Sequence, residues 1–265
     1  MPRFSANLSM LFDDAPFLDR FPRAAATGFD AVEYLFPYEY DAEDLRKTLD
    51  ANGLRQDLFN LPAGDFAAGE RGMAVDPSRR DEFADGVETA LRYAEALGNR
   101  KINCLVGRSV DGVAPQEQYA CLVENLSDAA ARLQEEGIAL QAELLNPIQT
   151  PGFFLDSMER VRRLLQDVPA LSFQCDVYHL QRTQGNLVET MRSVGERIGH
   201  VQIADSPDRH EPGTGEIDYG FVLRELDELG YTGCVGCEYA PSARTEDTLG
   251  WIEALGYALP GRAGR

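Results

Sequence analysis

Short apolar runs alternate with longer amphipathic segments along the whole chain, and the alternation repeats eight times. The short runs consist of β-branched or other apolar residues, which favours strands, whereas the longer segments place apolar residues at helical spacing. The predicted strands begin near Phe4, Ala31, Gln56, Lys101, Ala139, Leu171, His200 and Gly233. The predicted helices are Phe17–Ala26, Ala42–Ala51, Glu82–Ala96, Glu117–Glu136, Met158–Asp167, Leu187–Ile198, Phe221–Leu229 and Asp247–Leu255.

Eight strand–helix units of similar length predict an α/β fold in which residues 1–265 form a single (β/α)8 barrel. We expect the tail from about residue 258 to be flexible. The alternative is an open doubly wound sheet, which a glycine-rich dinucleotide fingerprint after the first strand would favour, and no such fingerprint occurs there. Two long loops, 62–78 and 206–217, follow the third and seventh strands. Because such loops lie on the catalytic face of a barrel, we expect both to cover a substrate.

The polar residues of the predicted strands fall on one face. Side chains alternate along a strand, so the apolar positions are expected to pack under the helices and the others to face the barrel interior. In the fifth strand, for example, Leu140 and Ala142 share one face, and Gln141 and Glu143 share the other. The last four strands therefore direct four polar residues at one interior volume, namely Glu143, Asp176, Gln202 and Glu238. The same alternation turns Ser5, Asn7, Ser9 and Asn103 inward, where they line the cavity or bond to one another.

This inward set is typical of a metal site. Carboxylates confined in an interior repel one another and lose hydration, at a cost on the order of several kcal/mol per ion. A divalent cation with oxygen ligands would offset that cost. Three carboxylates and one amide oxygen suit Mg²⁺ or Mn²⁺ better than zinc, which prefers Cys and His. The alternative is that some of these groups are protonated, solvated or hydrogen-bonded in an ordinary barrel.

Three further residues are candidates for contacting a substrate. His179 lies three residues after Asp176, at the predicted end of the sixth strand, and either contacts a substrate oxygen or forms hydrogen bonds at the rim. Arg71 and Arg209 lie in the two long loops and are candidate partners for a substrate carboxylate. Alternatively, each is a surface arginine that pairs with a neighbouring acid, such as Glu70 or Asp208.

The net negative charge of the chain limits the classes of molecule that it can bind. The net charge of −19 argues against nucleic acid, because phosphate binding needs a basic surface. The amino terminus does not resemble a signal peptide and no apolar stretch approaches the roughly 20 residues of a membrane span, so we expect a cytoplasmic protein with no membrane partner.

The five cysteines have no framework spacing, which favours a reducing compartment. Cys234 and Cys237 are three apart on a strand and point to opposite faces, which disfavours a redox or zinc role.

Seven segments of the chain carry a family likeness. They are residues 4–12 (FSANLSMLF), 32–41 (VEYLFPYEYD), 60–72 (NLPAGDFAAGERG), 101–107 (KINCLVG), 175–182 (CDVYHLQR), 200–217 (HVQIADSPDRHEPGTGEI) and 235–239 (VGCEY). These segments span nearly the whole chain and resemble the hydroxypyruvate isomerase family, within the xylose-isomerase-like TIM barrels.

The resemblance implies an activity and a set of roles. The activity is the interconversion of hydroxypyruvate and 2-hydroxy-3-oxopropanoate (tartronate semialdehyde) by proton transfer through an enediolate, with a place in glyoxylate metabolism. The resemblance also implies a metal held by Glu143, Asp176, Gln202 and Glu238. Of these, Glu143 and Glu238 would be the catalytic acid/base pair.

Departures from the family pattern leave the substrate open. Leu144 follows Glu143 where many relatives have proline, and Phe59 stands where some relatives have histidine. Related sugar isomerases and epimerases have histidine in place of Gln202, which favours the hydroxypyruvate branch. A 2-oxo-tetronate or sugar isomerase or epimerase with the same site remains an alternative.

Two more remote alternatives are a metal-dependent endonuclease-type phosphodiesterase, which normally needs several histidines and a basic groove, and a non-catalytic binding barrel. The small 2-oxo acid is the expected partner. The sequence is also compatible with a homo-oligomer that pairs through helix faces.

Overall fold

The computed structural model describes residues 2–262, in which eight parallel strands form a closed barrel in chain order. The last strand is hydrogen-bonded to the first, which confirms the predicted (β/α)8 TIM barrel and excludes the open sheet. The strands are β1 (Arg3–Asn7), β2 (Ala31–Glu33), β3 (Arg55–Asn60), β4 (Lys101–Cys104), β5 (Ala139–Glu143), β6 (Ser172–Asp176), β7 (Ile198–Ile203) and β8 (Cys234–Cys237).

The helices connect successive strands, and their ends follow local sequence signals. Asp41, Ser157 and Asp218 precede three of them and accept hydrogen bonds from backbone N–H groups of the first turn. Gly28 and Gly98 end two others in the left-handed conformation. The helices of the described residues are α1 (Phe17–Thr27), α2 (Ala42–Ala51), α3 (Arg80–Leu97), α4 (Pro115–Glu135), α5 (Met158–Asp167), α6 (Val177–Thr183), α7 (Leu187–Val194), α8 (Tyr219–Glu228), α9 (Thr245–Thr248) and α10 (Gly250–Ala254).

Three predictions about the helices are wrong. The predicted helix Leu187–Ile198 ends at Val194, because Gly195 turns the backbone to a φ of +56° and Ile198 already belongs to β7. The single helix predicted over Asp247–Leu255 is the short pair α9 and α10. Helix α6 was not predicted, because it follows β6 with no intervening loop, so His179 lies in a helix rather than at a strand end.

The hydrophobic core forms a ring between the sheet and the helices. Alternate strand residues such as Phe4, Ile102 and Val201 are fully buried and belong to one cluster with helix residues such as Leu45 and Leu126. The remaining strand positions face the barrel interior, as the alternation predicts. The interior is consequently the polar part of the barrel.

The loop after β7 is organised by one buried carboxylate. Asp205 is 1% exposed and accepts hydrogen bonds from the backbone N–H groups of Ser206, Gly213 and Ile217. This network holds the predicted loop 206–217 in a defined conformation over the barrel mouth.

Three features bear on the predicted setting of the chain. All five cysteines are free and buried. Among residues 2–262, no helix has the length and apolar character needed to cross a membrane. Leu259, in the tail that we expect to be flexible, is buried, and residues 263–265 of that tail lie outside the described residues.

Candidate active site

Three carboxylates meet at the carboxyl ends of the strands. Glu143 ends β5, Asp176 ends β6 and Glu238 directly follows β8, and each is at most 5% exposed. A cavity of about 420 Å³ opens above them. Its lining contains Glu143, Glu238, His179, Arg71 and Arg209, with Met10, Leu35, Phe66, Leu105, Leu145, Gln149 and Thr150. The barrel thus brings the predicted acid/base pair and three predicted substrate contacts to one cavity.

The two cavity glutamates hold protons more tightly than ordinary carboxyl groups. Burial and the nearby charge of Asp176 raise the pKa of Glu143 to about 8. Burial also raises the pKa of Glu238 well above its ordinary value, in spite of the lowering effect of Arg209. Carboxyl groups with raised pKa values suit a proton-transfer role near neutral pH.

Asp176 has one engaged oxygen and one that lacks a donor. Its Oδ1 accepts hydrogen bonds from the backbone N–H groups of Tyr178 (2.8 Å) and His179 (3.2 Å), which caps α6. Its buried Oδ2 has no hydrogen-bond partner. Ligand atoms of Glu143, Asp176 and His179 all lie within 4.8 Å of one another. An unpartnered buried carboxylate oxygen among further carboxylates fits a divalent cation with oxygen ligands.

Gln202, the fourth predicted ligand, is held at both ends of its amide. Its Nε2 donates to Glu33 Oε1 (2.8 Å) and to Glu238 Oε1 (3.2 Å). Its Oε1 accepts from Gln174 Nε2 at 2.7 Å. The family likeness assigns this Oε1 to a metal. A bound cation would therefore have to replace the hydrogen bond from Gln174 at that oxygen.

Arg209 lies over the carboxylates. Its Nη2 is 2.5 Å from Glu238 Oε2 and 3.5 Å from Asp176 Oδ2, and its guanidinium lies 5.1 Å from the centre of the Tyr178 ring. Burial alone lowers the pKa of Arg209, but the charges of Glu238 and Asp176 outweigh burial and raise it. The structure therefore pairs Arg209 with the site carboxylates Glu238 and Asp176, so the alternative of a surface pairing with Asp208 is wrong.

Arg71 lines the same cavity without an acidic partner. Its Nη1 donates to the backbone oxygens of Phe66 (3.0 Å) and Glu70 (2.6 Å), and its guanidinium stacks on the Phe66 ring at 3.8 Å. No ion pair joins Arg71 to a carboxylate within residues 2–262. Glu70 pairs instead with Arg79. Arg71 is thus a cation whose charge is available to a ligand.

His179 is held in one tautomer. Its Nδ1 accepts hydrogen bonds from the backbone N–H of Asn146 (3.1 Å) and from Asn146 Nδ2 (2.8 Å), so the ring proton lies on Nε2. Burial lowers the pKa of His179 to about 4, which keeps the ring neutral. Nε2 lies 3.7 Å from Asp176 Oδ2 and presents an N–H donor at the site.

The predicted asparagines lie behind the carboxylates and do not line the cavity. Asn103 Nδ2 donates to Glu143 Oε1 (2.8 Å), and Asn7 Nδ2 donates to Glu238 Oε1 (3.1 Å). Both side chains therefore orient a glutamate, and direct substrate contact stays a prediction. Ser9 lies in the turn beyond β1, where its hydroxyl accepts the backbone N–H of Leu35.

A second buried polar group, below the cavity, was not predicted from the sequence. It consists of Glu33, Asp57, Lys101 and His200, which are linked by hydrogen bonds and ion pairs. The signal for Glu33 was a charged residue in the apolar run of β2, but three residues are too few to show alternation. Asp57 was hidden by a strand irregularity, because Val32 pairs with Gln56 and Glu33 pairs with Leu58, so the register skips it.

Known proteins resemble the chain over nearly its full length. Residues 21–255 match the family described as xylose isomerase-like TIM barrel. The chain is 51% identical to hydroxypyruvate isomerase of Escherichia coli (strain K12), over 96% of this chain and 99% of that protein. It is 44% identical to 2-oxo-tetronate isomerase of Cupriavidus necator, over 96% of this chain and 98% of that protein.

Solved structures show the same architecture. A protein named AP endonuclease, family 2, from Brucella melitensis has a TM-score of 0.90 and 42% identity, over 96% of this chain and 99% of that one. L-ribulose 3-epimerase shares the fold at 21% identity, with a TM-score of 0.74 over 98% of this chain and 88% of that one. With its buried carboxylates at the barrel mouth, this isomerase belongs to the hydroxypyruvate isomerase family of xylose isomerase-like TIM barrels.

Proposed function

We propose that the protein interconverts hydroxypyruvate and 2-hydroxy-3-oxopropanoate with the help of Mg²⁺ or Mn²⁺. The observation that carries this proposal is the pair of buried glutamates, Glu143 and Glu238, which line one cavity at the carboxyl ends of the strands. Isomerisation of a 2-oxo acid needs a proton removed at one carbon and a proton added at its neighbour. Two carboxyl groups in one cavity suit that pair of transfers.

The donor set fits a divalent cation. Glu143, Asp176, Glu238 and the amide oxygen of Gln202 would hold it, and all four offer oxygen. When bound, the cation supplies Lewis-acid stabilisation of negative charge on the substrate oxygens. Asp176 Oδ2 supports this assignment, because it accepts no hydrogen bond in the structure and a buried carboxylate oxygen without a hydrogen-bond donor is otherwise costly.

Residues of the chain carry out the proton transfers and orient the substrate. One glutamate takes the proton from C3 of hydroxypyruvate, and the other delivers a proton to C2, while the hydroxyl proton on C3 is transferred, directly or by exchange through the solvent, to the oxygen on C2. The N–H of His179 Nε2 donates a hydrogen bond to a substrate oxygen. Reversal of the two glutamate roles gives the opposite direction of the same reaction.

Arg71 is the better partner for the substrate carboxylate. It lines the cavity and has no acidic partner among the described residues, whereas Arg209 is already paired with Glu238. An arginine fork can hold a carboxylate through two hydrogen bonds, which fixes the orientation of a small acid. The substrate would then lie between Arg71 and the glutamates.

A four-carbon substrate is the second candidate. The cavity of about 420 Å³ is larger than a three-carbon acid needs, and a 44% identical relative is named 2-oxo-tetronate isomerase. A phosphodiesterase of the endonuclease type is less well supported. The cavity lining includes one histidine, and the net charge of −19 opposes a polyanionic substrate. A cytoplasmic location and a role in glyoxylate metabolism remain predictions.

The test is turnover in deuterated water. Purified protein is incubated with hydroxypyruvate and Mg²⁺, and product and deuterium uptake are followed by NMR. We expect product in the wild type and a loss of turnover in Glu143→Gln and Glu238→Gln. The exposed Glu95 on α3 provides a matched control, and Glu95→Gln should retain activity. Turnover of four-carbon 2-oxo acids alone would select the second candidate, and no turnover with any divalent metal would refute the proposal.

A further inference from the structure

Glu33 lies fully buried below the cavity and accepts hydrogen bonds from four side chains. Its Oε2 accepts from the Ser5 hydroxyl (2.8 Å) and from His200 Nε2 (2.8 Å). Its Oε1 accepts from Asn7 Nδ2 (3.2 Å) and from Gln202 Nε2 (2.8 Å). A carboxylate surrounded by donors in this way is an acceptor at both oxygens.

A directional chain of hydrogen bonds supports the charge of Glu33 from below. Lys101 Nζ lies 2.8 Å from Asp57 Oδ2 and 3.2 Å from His200 Nδ1. Because an ammonium group only donates, His200 Nδ1 accepts, and the ring proton lies on Nε2, where it is donated to Glu33. Each oxygen of Glu33 thus faces two donor groups, which favours the ionised form of its carboxyl group.

The same lysine argues against a metal ion in this lower group. Acidic and histidine atoms of Glu33, Asp57 and His200 lie within 4.8 Å of one another, which alone is compatible with a cation. The ammonium of Lys101 already supplies positive charge at hydrogen-bond distance from Asp57 and His200. The lower group is therefore a set of ion pairs and hydrogen bonds that holds Glu33 in place beneath the active site.

Two amides connect Glu33 to the active site. Asn7 Nδ2 and Gln202 Nε2 each lie within hydrogen-bond distance of both Glu33 Oε1 and Glu238 Oε1. A primary amide has one donor end and one acceptor end, and an ionised carboxylate can bind only the donor end. Glu33 therefore turns the Nε2 of Gln202 toward itself and turns Oε1 away.

We propose that Glu33 is a positioning residue that selects the orientation of the Gln202 amide in which Oε1 is offered to a divalent cation. The inference rests on the proposed function, because it concerns the same metal site. Metal ligands are commonly oriented by hydrogen bonds from a neighbouring group, and loss of such a group typically lowers metal affinity about 10- to 100-fold. Here the orienting group acts on an amide, whose two ends differ only in hydrogen bonding.

The experiment measures Mn²⁺ affinity without substrate, by calorimetry and by electron paramagnetic resonance. In Glu33→Gln, residue 33 can donate or accept, so the Gln202 amide loses its strongest fixed acceptor and keeps only Glu238 and Gln174 to orient it. We expect the Mn²⁺ dissociation constant to rise by about tenfold or more. In the exchanged pair, Glu33→Gln with Gln202→Glu, the carboxylate at position 202 is the ligand and the amide at position 33 is its donor. We expect this double variant to bind Mn²⁺ more tightly than Glu33→Gln alone.

Circular dichroism and thermal melts report whether each variant folds, with Glu95→Gln as the surface control. Unchanged Mn²⁺ affinity in folded Glu33→Gln would overturn the inference, as would an exchanged pair that binds no better than the single variant. Absence of Mn²⁺ binding in the wild type would overturn it as well. These outcomes are independent of turnover, so failure of the isomerase assay with Mn²⁺ binding intact would count against the proposed reaction alone.

A measurement on the wild type covers the case in which Glu33→Gln does not fold. The side-chain NH₂ of Gln202 is observed by NMR after ¹⁵N labelling of glutamine and assigned by its loss in Gln202→Glu. We expect its protons to exchange slowly with water, both before and after Mg²⁺ is added, because Glu33 holds them throughout. Fast exchange of these protons, in either state, would overturn the inference.

Discussion

The carboxylate of Glu33 occupies the space inside the barrel that a side chain at Gly236 would fill. A Cβ atom added to Gly236 would lie 2.3 Å from Glu33 Oε1 and 2.4 Å from Oε2, which is far inside van der Waals contact. The φ angle of Gly236 is not in the left-handed region, so the need for glycine here is one of space alone. The absence of a side chain on β8 is therefore what admits the buried carboxylate from β2.

Gly236→Ala should destabilise the protein by about 1–3 kcal/mol, because an added methyl group in a filled interior forces its neighbours to shift. The free energy of unfolding from urea denaturation measures the effect. Gly250→Ala is the matched control, since a Cβ there would meet no atom within 4 Å. Equal stability of the two variants would show that Glu33 can move aside at no cost.

Above about pH 6.5 the stability of the metal-free protein should fall as the pH rises to about 8, whereas below pH 6.5 the lowered pKa of His179 has the opposite effect. Glu143 has a pKa raised from 4.5 to about 8, so between these values the folded state binds more protons than the unfolded state. Stability contributed by the protonated carboxyl is then lost as the pH rises, by on the order of a few kcal/mol. Urea denaturation in EDTA across this range should show a smaller decline in Glu143→Gln, and an identical decline would contradict the assignment.

Arg71→Ala should raise KM for the 2-oxo acid by about tenfold or more, the loss expected for a charge-assisted pair with a carboxylate. The thermal midpoint should change little, because Arg71 pairs with no acidic group of the described chain. Arg92→Ala on the exposed face of α3 is the control and should leave KM unchanged. Steady-state kinetics with both variants decides, and an unaltered KM in Arg71→Ala would remove Arg71 from the site.

His179 should stay neutral across the working pH range. Its pKa is lowered to about 4, and the backbone N–H of Asn146 requires an acceptor at Nδ1. Titration of ¹⁵N-labelled histidine by NMR should show the Nε2–H tautomer of His179 from pH 6 to pH 8. The pH–rate profile should lack a step from this residue, and His179→Gln, which keeps a donor, should retain more activity than His179→Ala. A His179 titration near pH 6.5 would contradict this account.

The barrel was predictable because its signal is repeated. Each apolar run is followed by a helical segment, and errors at single boundaries, such as the end of α7 at Val194, leave the count of eight unchanged. Helix α6 escaped prediction for a local reason. Asp176 ends β6 and caps α6 at once, so no glycine or proline separates the two elements.

The site was predictable to the extent that it follows strand alternation. Glu143 and Asp176 end their strands and Glu238 directly follows β8, all in step with the alternation, and the fold brings them together. The polar group beneath them, which includes Glu33 and Asp57, could not be predicted from strand alternation. Glu33 belongs to a strand of three residues, and Asp57 falls at a register shift, so neither position could be assigned to a face by counting. Their roles depend on contacts between distant strands, which only the closed barrel creates.

The polar interior of the barrel and the apolar ring around it tolerate different amino-acid substitutions. In the ring, one aliphatic side chain can replace another of similar volume, because the contacts there are not directional. Inside the barrel, charged residues such as Lys101, Glu33 and Glu238 are matched to neighbours by charge or by donor and acceptor, so replacing one of them leaves a partner without its match. Variation in substrate preference should therefore arise in the loops that carry Arg71 and Arg209, while the interior persists as one inherited unit.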